Sequence, residues 1–451
     1  MLIRKLILDN FRAFSKASLN LAPLTILVGP NNAGKSSIIS SIRMLSQTLI
    51  SADPEAQLLL EELGSFPDVV HGYDAKKTMG IRIDFEREEG RLGLELNYGY
   101  RSQRRQVILR SFRAFESNNE QNEKTLVGTT YSPSTEKQVL QKFEGVNDDQ
   151  IPVMSLPFIH FFPRINLQSV SILDRIRRRQ MLPVADEDRP GSVAMHKSAN
   201  LNRKFREMQY FLESLQYLGP FRKPPARLYP FTGERPSKIG PTGSEAPDML
   251  TNDYFQRGKG KRRITNEVTN WLSKANIATK LKVKAVSPRH YDIMMQHPMT
   301  RELSNLADVG YGVSQILPVL IGGYGLPRNS LFIVEQPELH IHPKAQAELG
   351  EFFCELSERG VQSIVETHSE HLILRIQQKV ALGELDPKDV AISYINPTPD
   401  GKKVVDIPMD HNGLFTEPWP EGFFEERKKE VLNLARAPIL RMRKRRDGNN
   451  S

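Results

Sequence analysis

The sequence predicts an α/β fold: a mixed β-sheet that carries an anion-binding turn, a flanking antiparallel sheet and an inserted helical lobe. Three observations support this. An apolar run, a glycine-rich turn and a helix-like segment follow one another over residues 24–51. Apolar and polar residues alternate through most of residues 80–117, as in antiparallel strands with one buried face. Apolar strands and amphipathic helices alternate between residues 303 and 382.

The composition indicates a globular chain long enough for one large or two medium domains. Its 451 residues are 39% hydrophobic and 25% charged. Charges interrupt the N-terminal apolar segment and no other stretch reaches membrane-spanning length, so the sequence predicts neither a signal peptide nor a membrane span. Cys354 is the only cysteine, which excludes an intramolecular disulfide and a multi-cysteine metal site. We therefore expect a cytoplasmic protein.

The first functional signal is the stretch LTILVGPNNAGKSS, at residues 24–37. Gly29, four further residues and then Gly34, Lys35 and Ser36 have the spacing of a phosphate-binding loop. Glycines let the backbone wrap an anion, amides at a helix N-terminus face phosphate oxygens, Lys35 neutralises charge, and the Ser36 hydroxyl can ligate Mg²⁺. The implied ligand is a nucleoside triphosphate. An ordinary strand-to-helix turn is the alternative, but the apolar run before it and the helical segment after it favour the phosphate loop.

The N-terminal portion, residues 1–115, is predicted to be the first half of the nucleotide-binding core. Strands are expected at residues 2–9 and 17–28, and a helix from residue 35 to about residue 51. Further strands are expected in GIRIDFE, LGLELNYGY and QVILRSFRAFES.

The middle of the chain is predicted to be less regular. Residues 116–216 are expected to form a compact helical insertion, because LDRIRRRQM and residues 200–216 have helical spacing but no sustained heptads are present. Residues 217–300 form a connecting segment that begins with a stretch dense in proline and glycine. That stretch is either a linker or a structured active-site loop, to which Arg222, Arg227 and Tyr229 would contribute.

The C-terminal portion, residues 301–410, is predicted to be the second half of the core. The segment from Leu303 leads to the strand SLFIVEQPE, a helix at about 343–359, the strand QSIVETHSE, a helix to about residue 382 and a last strand pair. Residues 411–451 are expected to be an extension with a basic tail.

A strand that ends in carboxylates supplies the second functional signal. The apolar run of residues 331–334 is followed by Glu335, Gln336 and, two residues on, Glu338. Phosphoryl transfer needs carboxylates that hold the metal's water shell and orient the attacking water, and ligands bind at the carboxyl ends of strands in open α/β sheets. A strand that merely ends in a polar turn is the alternative, and the phosphate loop upstream makes it the weaker one.

Histidines follow both of these strands. His368 comes after the strand SIVE and would lie within reach of a γ-phosphate, although a lone histidine is more often structural. His340 and His342 occupy alternate positions without a third ligand, so a structural loop is favoured there over a metal site.

These motifs, taken in order, resemble those of ABC-type ATPases of the RecF, SMC and OLD kind. They are the phosphate loop, GYGVSQ, EQPELHIHP and ETHS. NFRAF, YLGPFR and EPWPEGFF also look like compact bacterial AAA family ATPases that end in a small C-terminal domain of unknown function. The likeness spans both ends of the chain and leaves roughly residues 100–210 uncovered. It implies an ABC-type ATPase head that uses ATP and Mg²⁺.

The resemblance also implies roles for individual residues. Ser36 and Glu335 would hold Mg²⁺, and His368 would sense the γ-phosphate. His342 would lie in the loop that crosses a dimer interface. The catalytic candidates are Glu335, Gln336, Glu338 and His368. The implied nucleotide contacts within one subunit are Arg12, Gly29, Asn31, Asn32, Ala33, Gly34, Lys35, Ser36 and Ser37. The implied signature contacts to the nucleotide of the opposite subunit are Gly310, Gly312, Ser314 and Gln315.

Two departures from the family pattern stand out. Gly310 occupies the place of the usual serine beside the glycine pair of the signature, and Gln336 stands where most ABC ATPases place a catalytic glutamate. A glutamine cannot accept a proton, so either hydrolysis is slow or another carboxylate, such as Glu338 or Glu366, takes over.

The expected function is a switch ATPase that dimerises around ATP. It would sense or handle DNA, with double-stranded DNA favoured, and control a separate nuclease-like effector in bacterial defence or repair. The net charge of +9 and four basic runs motivate the DNA partner, although any single run equally describes a solvated face. The alternative is an ATP-binding scaffold with little turnover that holds a partner inactive. A transporter's ATPase subunit is disfavoured, since such chains are usually shorter and lack NFRAF and the C-terminal tail. The runs are RSQRRQVILRSFR, DRIRRRQ, RGKGKRR and RMRKRR.

Overall fold

The structure is a computed structural model and describes most of the chain. The described residues are 1–60, 63–117, 122–144, 146, 151, 153–165, 190–256, 258, 261–398 and 401–418. At 190–198 the description covers the backbone only. The described part contains two large sheets, two smaller ones and eight α-helices.

Strands and helices are numbered here in chain order. The strands are β1 (Leu2–Phe11), β2 (Phe14–Asn20), β3 (Leu24–Val28), β4 (Met79–Arg87), β5 (Gly90–Arg101), β6 (Gln106–Ser117), β7 (Glu123–Ser132), β8 (Lys137–Phe143), β9 (Ser155–Leu156), β10 (Phe158–Ile159), β11 (Phe162–Pro163), β12 (Gln216–Leu218), β13 (Tyr229–Pro230), β14 (Lys280–Ser287), β15 (His290–Gln296), β16 (Leu303–Asn305), β17 (Ser330–Glu335), β18 (Val361–Glu366), β19 (Val390–Thr398) and β20 (Gly401–Asp406). The helices are α1 (Lys35–Leu49), α2 (Phe66–Val69), α3 (Pro190–Glu213), α4 (Ala246–Phe255), α5 (Arg263–Lys274), α6 (Tyr311–Gly325), α7 (Pro343–Glu358) and α8 (Glu370–Ala381).

A six-stranded mixed sheet carries the predicted site. Its order is β12-β17-β18-β3-β19-β20, and only the edge strand β20 is antiparallel to its neighbour. The strands that end in the phosphate loop, in Glu335 and in Glu366 are therefore adjacent, and all three end at the same edge. The predicted α/β fold with a mixed sheet is confirmed.

The flanking antiparallel sheet has eight strands in the order β2-β1-β4-β5-β6-β7-β8-β9. The strands expected from GIRIDFE, LGLELNYGY and QVILRSFRAFES are present as β4, β5 and β6. Smaller sheets are formed by β10 with β11, and by β13, β15 and β14 with β16 paired to β15.

The segment 116–216 is less helical than expected. Its first part forms β7 and β8, which extend the antiparallel sheet, and α3 supplies the helical part. The segments TLVGTTYS and KQVLQKF contain β-branched residues and can add a half-buried edge to a sheet that is already present, a context invisible to local periodicity. The predicted basic helix LDRIRRRQM, at 173–181, lies outside the described residues.

The mixed sheet has a separate apolar core on each face. In β17, Leu331 and Ile333 pack into the core shared with the antiparallel sheet, α1 and α3. Phe332 and Val334 point into the other core, which contains α4 to α8. Because both faces are covered, every residue of β17 and of β18 is buried.

Gln362 joins the two large sheets. It is fully buried in β18 and exchanges hydrogen bonds with Ile3 of β1, accepting from the amide at 2.8 Å and donating to the carbonyl at 2.7 Å. Its Nε2 also donates to the Ala22 carbonyl at 3.0 Å. Its side chain therefore fixes the N-terminal strand against the strand that ends in Glu366.

Candidate functional site

The loop between β3 and α1 leaves no room for side chains at its two defining glycines. Gly29 has φ +140°, and a Cβ there would lie 2.5 Å from the carbonyl oxygen of Ile395. Gly34 has φ +113°, and a Cβ there would lie 2.9 Å from the Phe14 ring. The backbone curves between these points into the N-terminus of α1, which is the geometry that wraps a phosphate.

Lys35 begins α1 and is folded back under the loop. Its side chain is 4% exposed, and Nζ donates to the carbonyls of Gly29 at 2.8 Å and Pro30 at 3.0 Å. Nζ also lies 3.6 Å from Oε1 of Glu366. Burial lowers the pKa of Lys35, and the Glu366 carboxylate opposes this effect. The ammonium group is thus placed among oxygen acceptors where phosphate oxygens would bring further negative charge.

A cavity of about 830 Å³ lies over the loop. Among its lining residues are Ser36, whose side chain is exposed, and the carboxylate of Glu335. A hydroxyl and a carboxylate are the hard oxygen ligands that Mg²⁺ prefers, so the donor set fits magnesium with a triphosphate. The sequence-predicted residues that line the cavity are Arg12, Asn31, Asn32, Ala33, Gly34, Lys35, Ser36, Ser37, Glu335 and Gln336.

Two carboxylates lie side by side at the floor of this cavity. Glu335 and Glu366 are register partners at the ends of β17 and β18. Glu335 Oε1 accepts a hydrogen bond from the Tyr217 hydroxyl at 2.6 Å. Burial, and then the charge of Glu335, raises the pKa of Glu366 to about 7. Sequence analysis named Glu366 as one alternative base, and Tyr217 was missed except as part of YLGPFR.

Glu338 and His368 contact one another away from the described lining of this cavity. Glu338 is buried, and its Oε1 accepts a hydrogen bond from the His368 backbone amide at 2.6 Å. Burial raises the pKa of Glu338, while burial and then the charge of Lys35 lower the pKa of the His368 ring. Neither residue is among the described residues that line the 830 Å³ cavity.

The signature segment, residues 310–315, lies at the start of α6, and its first four residues line a second cavity of about 650 Å³. The predicted contacts Ser314 and Gln315 are buried and do not line this cavity, as far as the described residues show. His340 and His342 line this second cavity too. The helix start is packed tightly against their loop, because a Cβ on Gly312 would collide with the His340 carbonyl. The described lining residues of the two cavities do not overlap.

Arg222 shows that the proline- and glycine-rich stretch is a structured loop rather than a linker. It is 4% exposed and donates to the carbonyls of Glu335 at 2.8 Å, Gln336 at 3.2 Å and Gln315 at 3.2 Å. Burial lowers the pKa of Arg222 to about 10, so the guanidinium stays charged at neutral pH. The loop thereby joins the carboxylate strand to the signature helix.

The other two residues singled out in that stretch have different environments. Arg227 is exposed and pairs with Asp308 at 2.5 Å. Tyr229 stacks on Tyr291, with ring centroids 5.5 Å apart. Neither lines the cavity over the phosphate loop, as far as the described residues show.

Lys402 is a cavity residue that the sequence analysis missed. It lies on β20, lines the cavity, and its Nζ donates to the Asn32 carbonyl at 2.5 Å. Phe221, which is 87% exposed, also lines the cavity. No local motif marks Lys402, since its position depends on β20 joining the far side of the mixed sheet.

Some arginines of the predicted basic runs form ion pairs within the fold. In the run at 101–113, Arg101 and Arg104 pair with Glu136, and Arg113 pairs with Glu95 and Glu123. DRIRRRQ and RMRKRR lie outside the described residues, and RGKGKRR is described only in part. Among the described helices, none combines the length and apolar character that crossing a membrane requires.

Solved structures give distant matches. One is the SMC head domain from Thermotoga maritima, with 12% identity, a TM-score of 0.41, and coverage of 91% of this chain and 100% of that chain. Another is the Smc head domain with an extended coiled coil bound to the C-terminal domain of ScpA derived from Pyrococcus furiosus, with 10% identity, a TM-score of 0.42, and coverage of 96% and 99%. Such low scores carry no functional inference. Comparison with curated proteins gives no match.

Two protein families match the sequence itself. Residues 385–434 match a family described as a protein of unknown function. Residues 24–375 match a family described as "AAA domain, putative AbiEii toxin, Type IV TA system". The prediction of an ATPase head followed by a small C-terminal domain of unknown function is therefore confirmed. Because the second match spans more than half of the chain, the protein belongs to this AAA-domain family.

Proposed function

We propose that this protein is an ATP-hydrolysing switch in which two copies close around two molecules of Mg·ATP. Each phosphate loop would bind one nucleotide, and the signature segment of the other copy would complete the site. Closure is favoured because ATP would contact both copies only in the closed state, so its differential affinity shifts the equilibrium.

The separation of the two cavities is the observation that carries this proposal. The phosphate loop and Glu335 line one cavity, and residues 310–313 line another. A signature segment that contacts the γ-phosphate must therefore come from a second copy. His342 lies next to the signature cavity, as a residue near the contact between copies would.

The expected partners are double-stranded DNA and a separate effector with nuclease-like activity. Net positive charge supports a polyanion, although internal ion pairs occupy several of the described arginines. The biological setting that we propose is bacterial defence or repair.

Complementation between two variants tests the composite site. Lys35→Ala removes the phosphate-binding cation, so this variant should lose ATP binding. Gly310→Glu adds a carboxylate at a position where a Cβ meets nothing within 4 Å in its own chain. It should bind ATP but fail to dimerise, because the new charge faces the phosphates of the opposite site.

Light scattering after size exclusion would measure the assemblies. Wild type should dimerise in Mg·ATP, each variant alone should remain a monomer, and their mixture should form an ATP-dependent heterodimer with one intact site. A wild-type chain that binds ATP but stays monomeric would contradict the sandwich. Absence of ATP binding by the wild type would contradict the whole proposal.

Gln336 favours a second candidate function, an ATP-binding scaffold with negligible turnover. Phosphate release by the wild type, with and without double-stranded DNA, separates the two functions. DNA-stimulated turnover supports the switch. A very low rate that Gln336→Glu raises strongly supports the scaffold.

A further inference from the structure

The position after Glu335 lacks a proton acceptor. Gln336 lines the nucleotide cavity with φ +46°, and its backbone amide donates to the Glu366 carbonyl at 2.7 Å. Its side-chain amide cannot take a proton from water at neutral pH. If the chain hydrolyses ATP, as the proposed function requires, the base must come from another residue.

Three carboxylates line the nucleotide cavity within the described chain: Asp68, Glu335 and Glu366. Asp68 Oδ2 is engaged at the N-terminus of α2, where it accepts from the amide and the hydroxyl of Ser65 at 2.7 and 2.6 Å. Glu335 accepts from Tyr217 and is the proposed magnesium ligand. Glu366 is the carboxylate left for proton transfer.

Glu338, the other acidic residue of the EQPE segment, is not among the described residues that line this cavity. Its Oε1 accepts the backbone amide of His368 and the carboxylate lies near the charge of Arg222, while its Oε2, like that of Glu366, is buried without a hydrogen-bond partner among the described residues. Because Glu366 lines the cavity and Glu338 does not, Glu366 is the better placed of the two to contact an attacking water.

Glu366 is placed to act as a general base from the strand next to the one that usually supplies it. Its carboxylate leaves the same sheet edge as that of Glu335, one strand nearer to the phosphate loop. Oε1 lies 3.6 Å from the Lys35 ammonium, while Oε2 is buried and has no hydrogen-bond partner among the described residues. An unpaired carboxylate oxygen at the floor of a phosphate cavity is a ready acceptor for a water proton.

We infer that Glu366 is the general base for ATP hydrolysis and replaces, from the neighbouring strand, the carboxylate that Gln336 lacks. The water oxygen forms a bond to the γ-phosphorus and its proton passes to Glu366. The bond from the γ-phosphorus to the bridging oxygen breaks, and ADP leaves with the electron pair. The products are ADP and phosphate, and the proton is then released to solvent.

The test measures ATP affinity and turnover separately for each variant. Affinity is measured by calorimetry with Mg·ATP, and turnover by phosphate release. Glu366→Gln should lower kcat on the order of 10²- to 10⁴-fold, the contribution of a general base, while ATP affinity stays within about threefold. Glu384→Gln, the same chemical change at a surface ion pair with Lys379, is the matched control and should leave both quantities unchanged.

A rescue variant separates catalysis from support of Lys35. Gln336→Glu combined with Glu366→Gln returns a carboxylate to the usual position and should recover at least about tenfold of the lost turnover. If Glu366 only positioned Lys35, Glu366→Gln would change ATP affinity and the second substitution would not restore kcat.

Other outcomes would overturn the inference. Turnover of Glu366→Gln within about threefold of wild type would exclude Glu366 as the base, as would a loss of turnover confined to Glu338→Gln. Wild type that binds ATP without hydrolysing it would refute the base but leave nucleotide binding intact. Wild type that does not bind ATP would instead defeat the proposed function.

Discussion

Arg222 is the buried cation that ties the end of β17 to the signature helix. Its guanidinium donates to three carbonyls, those of Glu335, Gln336 and Gln315. Arg222→Ala would remove a buried donor from all three carbonyls, so we expect the free energy of unfolding to fall by about 2–4 kcal/mol. Urea denaturation followed by circular dichroism would measure the change.

Arg227 provides the matched control five residues later. Its partner Asp308 and the arginine itself are exposed to solvent, where an ion pair contributes little. Arg227→Ala should therefore leave the urea midpoint nearly unchanged. Equal effects of the two substitutions would show that the backbone contacts of Arg222 do not stabilise the fold.

The raised pKa of Glu366 predicts a pH dependence of stability. Burial and the Glu335 charge raise this pKa to about 7, against about 4.3 in an unfolded chain. Between these values the folded chain binds more protons than the unfolded chain, so the free energy of unfolding decreases as pH rises.

Glu366→Gln removes the titrating group and with it this decrease. Without nucleotide, the stability of wild type relative to Glu366→Gln should fall by on the order of 1–3 kcal/mol from about pH 5 to about pH 8. Thermal and urea unfolding across that range would measure it. A difference that stays constant or grows with pH would contradict the raised pKa.

The sequence indicates residues that line the cavity where they belong to a motif with local spacing. Lys35 and Ser36 follow from the glycine pattern, and Glu335 from the strand before it. Lys402 depends instead on which strands become neighbours. Strand order depends on packing between segments that are distant in the chain, and no motif around Lys402 predicts it.

At the level of single elements, the start of α6 is fixed by contact with the histidine loop. A Cβ on Gly312 would collide with the His340 carbonyl, whereas one on Gly310 would meet nothing within 4 Å. Gly312→Ala must therefore displace the helix or the loop, and we expect it to cost about 1–3 kcal/mol of unfolding free energy. Gly310→Ala should cost clearly less.

Thermal unfolding of the two alanine variants would compare them, and ATP-dependent dimerisation would report on the helix start. Similar melting temperatures for Gly310→Ala and Gly312→Ala would show that the loop at His340 moves to accommodate the added methyl group at little cost in stability. In that case the signature segment would not be held by its neighbour.

Helices and strands were predictable to different degrees. The helix expected at 35–51 is observed at Lys35–Leu49, and the strand expected at the apolar run 331–334 is observed at Ser330–Glu335. The strands β7 and β8 were expected to belong to a helical lobe. Their pairing with β6 and with each other satisfies backbone groups that an isolated polar segment would leave to water.

For the whole molecule, Gln362 couples the antiparallel sheet to the nucleotide-binding sheet. Gln362→Leu keeps the size of the side chain but leaves the amide and carbonyl of Ile3 and the carbonyl of Ala22 without this partner. We expect the free energy of unfolding to fall by about 2–4 kcal/mol, the cost of several unpaired buried groups. Urea denaturation would measure it.

Gln378→Leu, on the exposed side of α8, is the matched control and should change little. Hydrogen exchange at the amide of Ile3 would report directly on the junction, since that amide donates to Gln362. Unchanged exchange in Gln362→Leu would contradict a coupling role.

The two halves of the core, 1–115 and 301–410, were predicted from motifs that lie far apart in the chain. The structure interleaves them, because β3 from the first half lies between β18 and β19 from the second. The local sequence indicates where the strands are. Their order in the sheet depends instead on packing that buries both faces of the sheet, which involves segments far apart in the chain. For this reason the 217–300 segment, which packs under α6, could not be placed by inspection.

The carbonyl of Ile395 packs directly against Gly29 of the phosphate loop. Ile395 lies on β19, and β19 with β20 falls within the stretch that matches the family of unknown function. The described part of that stretch backs the phosphate loop at Gly29 and pairs through β19 with β3, so it is an integral part of the nucleotide-binding sheet. Cutting the gene at the border between the two family matches would remove a wall of the ATP pocket.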